Sequence, residues 1–272
     1  MSKHLRKQKK EAATSAPPDA AGRLHDTVTD GYVIVFSDAH YWPGKATTAH
    51  RGLLAIIKEL KPKMVVCNGD AFDGASISRH PRIGWDSAPS VLDELGAVRD
   101  RLGEIEKAAK GAKLYWPIGN HDARFETFLA DKAPQFEGVA GFHLKDHFPK
   151  WMPCMSVWVN DSLVIKHRLG GGTHAASGNA AKSGKSMVTG HLHSLKVSPI
   201  TDYNGTRFGV DTGTLAAPYK SQFLYTEDNP VDWRSGFAVF KFVDGKMLWP
   251  QVAHVLDEKA GILEYCGKIY NV

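Results

Sequence analysis

The chain has 272 residues, a formal net charge of +5, 43% hydrophobic and 23% charged residues, an ordinary make-up for a globular protein that buries its core without disulfides. Its three cysteines, Cys67, Cys154 and Cys266, are far apart and form no CxxC pair, which excludes a disulfide framework and a zinc ribbon; each reads as a small core residue in a reducing compartment. No apolar run approaches the ~20 residues that span a bilayer, and no hydrophobic segment follows the basic N-terminus, so the expectation is a cytoplasmic protein without a secretory leader.

Lys3, Arg6, Lys7, Lys9 and Lys10 crowd the first ten residues, and Ala, Thr, Ser and Pro fill the stretch up to Pro18. Such a segment buries no core, so residues 1–26 read as a disordered basic arm, able to meet nucleic-acid phosphates without sequence preference. A solvated tail is the simpler reading, because the rest of the chain is nearly neutral. Residues 27–272 then form the folded domain. Tyr32 to Phe36 is a short β-branched and aromatic run, read as a buried strand. A helix is predicted over 47–60 with Leu53, Leu54, Ile57 and Leu60 on one face, stopped by Pro62. Met64 to Cys67 is the second strand. A longer helix is predicted over 89–110, capped by Gly111, and Leu114 to Ile118 is the third strand. This order, β-α-β-α-β, predicts parallel pairing with right-handed crossovers.

Residues 123–130 read as a helix leading into a loop-rich insertion that reaches Trp151, whose His143 and His147 are read as surface or packing residues. Residues 156–159 and 163–166 flank a hairpin-like turn at Asn160-Asp161, and 187–189 is a further strand. Tyr203-Asn204-Gly205-Thr206 and Val243-Asp244-Gly245-Lys246 look like tight turns, so strands over 197–201, 207–211, 236–242 and 247–252 are predicted to pair antiparallel. The pattern predicts two sheets face to face with helices outside.

The chemistry sits where the apolar runs end. Asp38-Ala39-His40, Gly69-Asp70-Ala71-Phe72-Asp73, Gly119-Asn120-His121-Asp122, His167 and Gly190-His191-Leu192-His193 follow one another in order, each at the carboxyl end of a predicted strand. Asp38 and His40, two residues apart, are expected to leave one side of an extended strand end and grip one ion. A carboxylate at Asp70 can bridge two ions; Asn120 offers an amide oxygen, and His167, His191 and His193 offer imidazoles. This mixture suits Mn, Fe, Zn or Ni better than Mg or Ca, with Mn the first choice. With two ions about 3.5–4 Å apart, a bridging water is hydroxide near neutral pH and attacks phosphorus in line.

The ordered set DxH, GDxxD, GNHD, H, GHxH, spanning Asp38 to His193, resembles the calcineurin-like metallophosphoesterase superfamily. The resemblance implies an α/β fold, a four-layer αββα sandwich of two mixed β-sheets flanked by helices, over residues 27–272. It implies that Asp38, His40, Asp70 and His193 hold a first divalent ion and that Asp70, Asn120, His167 and His191 hold a second. His121 would stand beside the leaving group and Asp122 would hydrogen-bond His121 to orient it; Asp73 would support the ligands from behind or serve the fold. One departure from the pattern is that Arg168 and Leu169 separate His167 from Gly170-Gly171-Gly172, so His174 competes for the ligand role. His167 is preferred because Leu163 to Lys166 is the strand it ends.

Arg124 and Arg168 are candidate phosphate contacts, since guanidinium forks match phosphate oxygens; Arg79 and His80 are weaker ones. The glycine run lacks a P-loop lysine and reads as a flexible loop near the metals. The functional expectation is a dinuclear metal-dependent phosphoesterase, foremost a phosphodiesterase acting on nucleic acid or nucleotides. The alternatives are a phosphomonoesterase and a non-catalytic scaffold of the same fold.

Overall fold

The computed structural model describes residues 16–80, 85, 88–218 and 221–272, so the cluster of lysines and arginine at the start of the chain lies outside the described residues. The folded unit starts earlier than residue 27. Strand β1 (Arg23–Asp26) buries Leu24 and pairs parallel with a later strand, because the alternating Leu24 places one apolar side chain between the sheets.

The first half follows the predicted β-α-β-α-β order. Strand β2 (Gly31–Phe36) leads to helix α1 (Thr48–Leu60), whose N-cap Thr47 accepts a hydrogen bond from the His50 N–H. Strand β3 (Met64–Cys67) follows, then helix α2 (Val91–Ala108) and strand β4 (Lys113–Pro117). Helix α2 is shorter than predicted at both ends. Ser90 captures the Asp93 N–H as N-cap, and the helix closes at Ala109, leaving Gly111 (φ 91°) to turn the chain into β4. Helix α3 (Ala123–Lys132) and two short 3-10 turns lead to strand β5 (Met152–Cys154), which sequence periodicity did not reveal.

Strands β6 (Ser156–Val159) and β7 (Leu163–Ile165) form the expected antiparallel pair. The supposed flexible loop after His167 contains a helix, α4 (Ala175–Ser183), which sequence reading missed because its buried face is Ala175, Ala176, Asn179 and Ala180, with no large apolar side chain. Strand β8 (Ser186–Thr189) precedes the hairpin of β9 (Leu195–Asp202) and β10 (Gly205–Thr212). Gly209 of β10 faces α4, where a Cβ would overlap the Ala176 carbonyl.

Strand β11 (Gly236–Val243) turns through Asp244 and Gly245, both at positive φ, into β12 (Lys246–Met247). The strand predicted over 247–252 is interrupted where Pro250 lacks a ladder donor, and pairing with β11 resumes in β13 (Gln251–Asp257). Strands β14 (Ile262–Tyr265) and β15 (Lys268–Asn271) complete the edge.

The larger sheet runs β15-β14-β13-β11-β2-β3-β4-β5, with β12 alongside β11, and the smaller runs β1-β6-β7-β8-β10-β9. Both are mixed. Alternation along β2 explains the layering: Val33 and Val35 pack with Val157, Ile165, Val188 and Val210 between the sheets, while Ile34 and Phe36 pack with Leu53, Ile57, Val98 and Leu102 under α1 and α2. A third cluster, Val164, Ala180 and Met187, lies beneath α4. The result is the four-layer αββα sandwich. Cys67 and Cys154 are buried as expected, but Cys266 is exposed at the turn before β15. Among the described residues no helix is long and apolar enough to cross a membrane.

Candidate metal centre

The motif loops leave the carboxyl ends of β2, β3 and β4 in one sheet and β7 and β8 in the other, so five chain segments meet at one rim. The backbone there is not extended. Asp38 (φ 52°), His40 (φ 41°), Asp70 (φ 55°), His191 (φ 69°) and His193 (φ 59°) all occupy the left-handed region, which for a residue with a Cβ costs about 1–3 kcal/mol and clusters at functional sites. The idea that Asp38 and His40 share one side of an extended strand is therefore replaced: each side chain is aimed by its own left-handed turn. Backbone bonds between loops hold these turns, with Asp38 N–H donating to Gly69 O (2.9 Å), His40 N–H to Asp70 O (2.9 Å) and Gly190 N–H to His167 O (2.9 Å). The motif glycines are steric necessities. A Cβ on Gly119 would overlap the Asp70 carboxylate, and one on Gly190 would overlap the Ser37 hydroxyl and the Asp38 carboxylate.

Asp38, His40 and His193 are all buried and each offers a ligand atom within 4.8 Å of the others. His193 Nε2 stands 3.2 Å from Asp38 Oδ1. Burial pushes the Asp38 carboxyl up, but His193 and His167 outweigh it and hold the group below the usual carboxylate range. Asp38 Oδ1, His40 Nε2 and His193 Nδ1 are buried with no hydrogen-bond partner among the described residues. Orphaned buried polar atoms are rare and costly; one carboxylate oxygen among imidazole nitrogens is the donor set of a borderline divalent cation.

The second cluster is Asp70, His167 and His191, again with ligand atoms within 4.8 Å of one another. His167 Nδ1 lies 2.8 Å from the Asn68 carbonyl, so that nitrogen carries a hydrogen and Nε2 faces the cluster. There it meets two acceptors, Asp70 Oδ2 at 3.1 Å and Asn120 Oδ1 at 3.2 Å. Three acceptor-type atoms at one point call for a positive charge. Burial opposes that charge on the ring, yet the Asp70 carboxylate pulls His167 up to about 10, marking the spot a cation stabilises. His191 is exposed and its N–H donates to Asp38 Oδ2 (2.9 Å), tying the two clusters together. His174 is exposed at the N-cap position of α4 and belongs to neither cluster.

His121 adjoins both clusters, its ring 4.6 Å from that of His40 and its backbone N–H donating to Asp70 Oδ1 at 2.8 Å, and with His40 and Asp73 it makes a third group of ligand atoms within 4.8 Å of one another. The orienting carboxylate is Asp73, not Asp122. His121 Nδ1 lies 2.8 Å from Asp73 Oδ1, which also sits 3.2 Å from His40 Nδ1, while Trp42 Nε1 donates to Asp73 Oδ2 at 2.9 Å. Burial lowers the affinity of His121 for a proton, but Asp73 and Asp70 overcome it and the ring is held above its ordinary range. Asp122 points the other way because adjacent residues on a helical turn do not face each other. It accepts from Asp70 N (2.8 Å), Phe72 N (3.0 Å), Gly119 N (2.9 Å) and Trp116 Nε1 (2.9 Å), clamping the second and third motif loops together. Burial and the Asp70 charge push its carboxyl up to about 6.

Arg124 donates to Asp73 O (2.8 Å) and reaches His121 Nε2 at 3.2 Å, so it is at the site. Arg168 is exposed next to His167 and close enough to His191 to depress its proton affinity, behind burial and His167. Arg79 and His80 are surface residues, and His147 packs with Nε2 2.8 Å from Gly141 O. Sequence reading missed three residues here. Glu94 of α2 is fully buried and accepts from Gly74 N (2.7 Å) and Ala75 N (3.1 Å), pinning the loop that carries Asp73. Trp233 and Phe223 cover His193, with ring centroids at 4.4 and 5.9 Å. A spacing rule finds none of them, because they come from segments without a motif.

The calcineurin-like phosphoesterase profile matches residues 31–207, from β2 into β10, and so takes in every cluster residue. The chain belongs to the calcineurin-like phosphoesterase family. It is thus a metal-dependent phosphoesterase, a hydrolase of phosphate esters. Among solved structures it is similar to zinc-bound Vps29 from Entamoeba histolytica (12% identity, 88% of this chain and 98% of that one, TM-score 0.43). It is similar also to the E. coli phosphoesterase Yfce (17%, 80% and 97%, TM-score 0.35) and to the Pseudomonas putida nuclease MPE (16%, 80% and 86%, TM-score 0.36). No curated protein matches the sequence.

Proposed function

We propose that this phosphoesterase is a dinuclear phosphodiesterase acting on nucleotides or nucleic acid. Asp38, His40, Asp70 and His193 would hold one divalent ion and Asp70, Asn120, His167 and His191 the other, with Mn the first choice and Fe, Zn or Ni compatible with the donors. The observation that carries the metal reading is the convergence of buried Asp38, His40 and His193, which each offer a ligand atom within 4.8 Å of the others, with Asp38 Oδ1 and His40 Nε2 lacking a hydrogen bond among the described residues. Ions held by these residues would supply Lewis acidity for phosphate-ester hydrolysis.

The protein's own groups do the rest. His121, held at Nδ1 by Asp73, would give an Nε2 proton to the departing oxygen once Arg124, now 3.2 Å from that nitrogen, turns to the substrate, where it and Arg168 would bind the non-bridging oxygens. A diester monoanion requires less positive charge than a monoester dianion, and among the described residues the arginines at the rim are Arg124, which in the free protein contacts Asp73 and His121, and the exposed Arg168. We also propose a cytoplasmic location, supported by the three unpaired cysteines Cys67, Cys154 and Cys266. The test compares bis-p-nitrophenyl phosphate with p-nitrophenyl phosphate on the Mn²⁺-loaded protein, with His121→Ala as control. Diester preference lost in the control is the expected result. Monoester preference would replace the reading with a phosphomonoesterase, and turnover of neither would leave a scaffold.

A further inference from the structure

One wall of the metal centre is aromatic. The segment Ser221–Thr226, kinked at Phe223, is tied to the site by Gln222 Nε2 donating to His40 O at 3.2 Å. Phe223 is buried against the rings of His40 (5.5 Å) and His193 (5.9 Å), and Trp233 lies 5.1 Å from Phe223. Arg234 N–H donates to His193 O at 2.9 Å and fixes Trp233 over His193. Tyr225 stands outermost, its centroid 6.2 Å from Trp233 and 6.3 Å from Phe223, and it is 53% exposed. Its hydroxyl is within electrostatic reach of Asp73, Asp38 and Asp70.

Phe223 is a packing residue, closing the first cluster off from water. Tyr225 and Trp233 do something else. Their rings are only partly covered, and neither the Tyr225 hydroxyl nor the Trp233 indole N–H has a hydrogen-bond partner among the described residues. Both polar ends are therefore open to solvent or to a ligand, the placement that suits Trp and Tyr to wet binding rims. A face with unused donors at its edge matches a heteroaromatic ring bearing acceptors better than a plain phenyl ring or an alkyl chain.

We infer that Tyr225 and Trp233 form a ledge that receives the nucleobase of a substrate whose phosphate sits at the metal centre. This rests on the nucleotide reading of the site and names the residues that recognise the base. Stacking on one aromatic side chain is worth on the order of tenfold or more in affinity and tolerates any base, because each has a π-face. The ledge therefore selects for a base rather than for a sequence.

The test is equilibrium binding of AMP and of ribose 5-phosphate to the Mn²⁺-loaded protein, followed by calorimetry. The two probes share sugar and phosphate and differ by the base. Wild type is expected to prefer AMP about tenfold or more. Tyr225→Ala and Trp233→Ala should each bring the ratio towards one, while Tyr225→Phe, which keeps the ring, should retain most of it. Equal affinities in wild type, or a preference that survives both alanine variants, would overturn the ledge. Because binding is read apart from turnover, a base preference without diester hydrolysis would keep the ledge and remove only the phosphodiesterase reading.

Discussion

The two halves of the metal centre are built from the same residue types but stand in different surroundings. Asp38, His40 and His193 are all buried, roofed by Phe223 and Trp233, and Asp38 Oδ1, His40 Nε2 and His193 Nδ1 have no hydrogen bond among the described residues. Asp70, His167 and His191 open to solvent through His191, and their polar atoms contact one another and Asn120. On the proposed reading the closed half would rely on a cation to satisfy its buried atoms, and the open half would be the side that admits water and substrate. Asp73 serves both, since one of its oxygens touches His40 and His121 together.

The largest expected effect comes from His121, which adjoins both halves. His121→Ala should lower kcat by about 10²–10⁴, the range for a lost general acid, without changing metal content. Rate loss accompanied by metal loss would make His121 a ligand instead. Asp122→Ala strands four buried donors on the open side and should cost about 3 kcal/mol or more, read as a fall of roughly 10 °C in Tm. If instead the melt is unchanged and only the rate falls, Asp122 acts on the reaction directly.

Asp73→Asn should reduce activity by about 10–100-fold and also move the pH profile. His121 works protonated, and Asp73 raises its pKa above the ordinary value, so activity falls as pH rises through that raised pKa. Without the carboxylate the fall should begin at lower pH; an unmoved alkaline limb would break the link between Asp73 and His121. The smallest effect is kinetic. Under dilute chelator the open half should lose its ion before the closed half, giving two phases of metal release, and a single phase would erase the difference between them.

Much of this was readable before the fold. The strands ahead of the motifs are apolar on both faces because they lie inside a layered sandwich, so each showed as a short run ending at a ligand, and all seven ligand candidates converge on one rim. What was not legible had physical reasons. Helix α4 buries alanines and an asparagine, so it carries no apolar stripe. The left-handed turns at Asp38, His40, Asp70, His191 and His193 have only a weak signature in residue type, since Asp and His are enriched in that conformation but glycine alone adopts it freely. Asp122 was assigned to its sequence neighbour, but a one-residue step on a helical turn points the two side chains apart, and the partner came from Asp73. Tyr225 and Trp233 reach the site through contacts distant in sequence from any motif.

The most direct test is metal stoichiometry, measured as Mn²⁺ per chain after equilibrium dialysis of wild type, Asp38→Ala, His167→Ala and His174→Ala. The two-cluster centre predicts two ions in wild type and in His174→Ala, and one in each of the other variants. Two ions retained by His167→Ala, or one lost by His174→Ala, would contradict it.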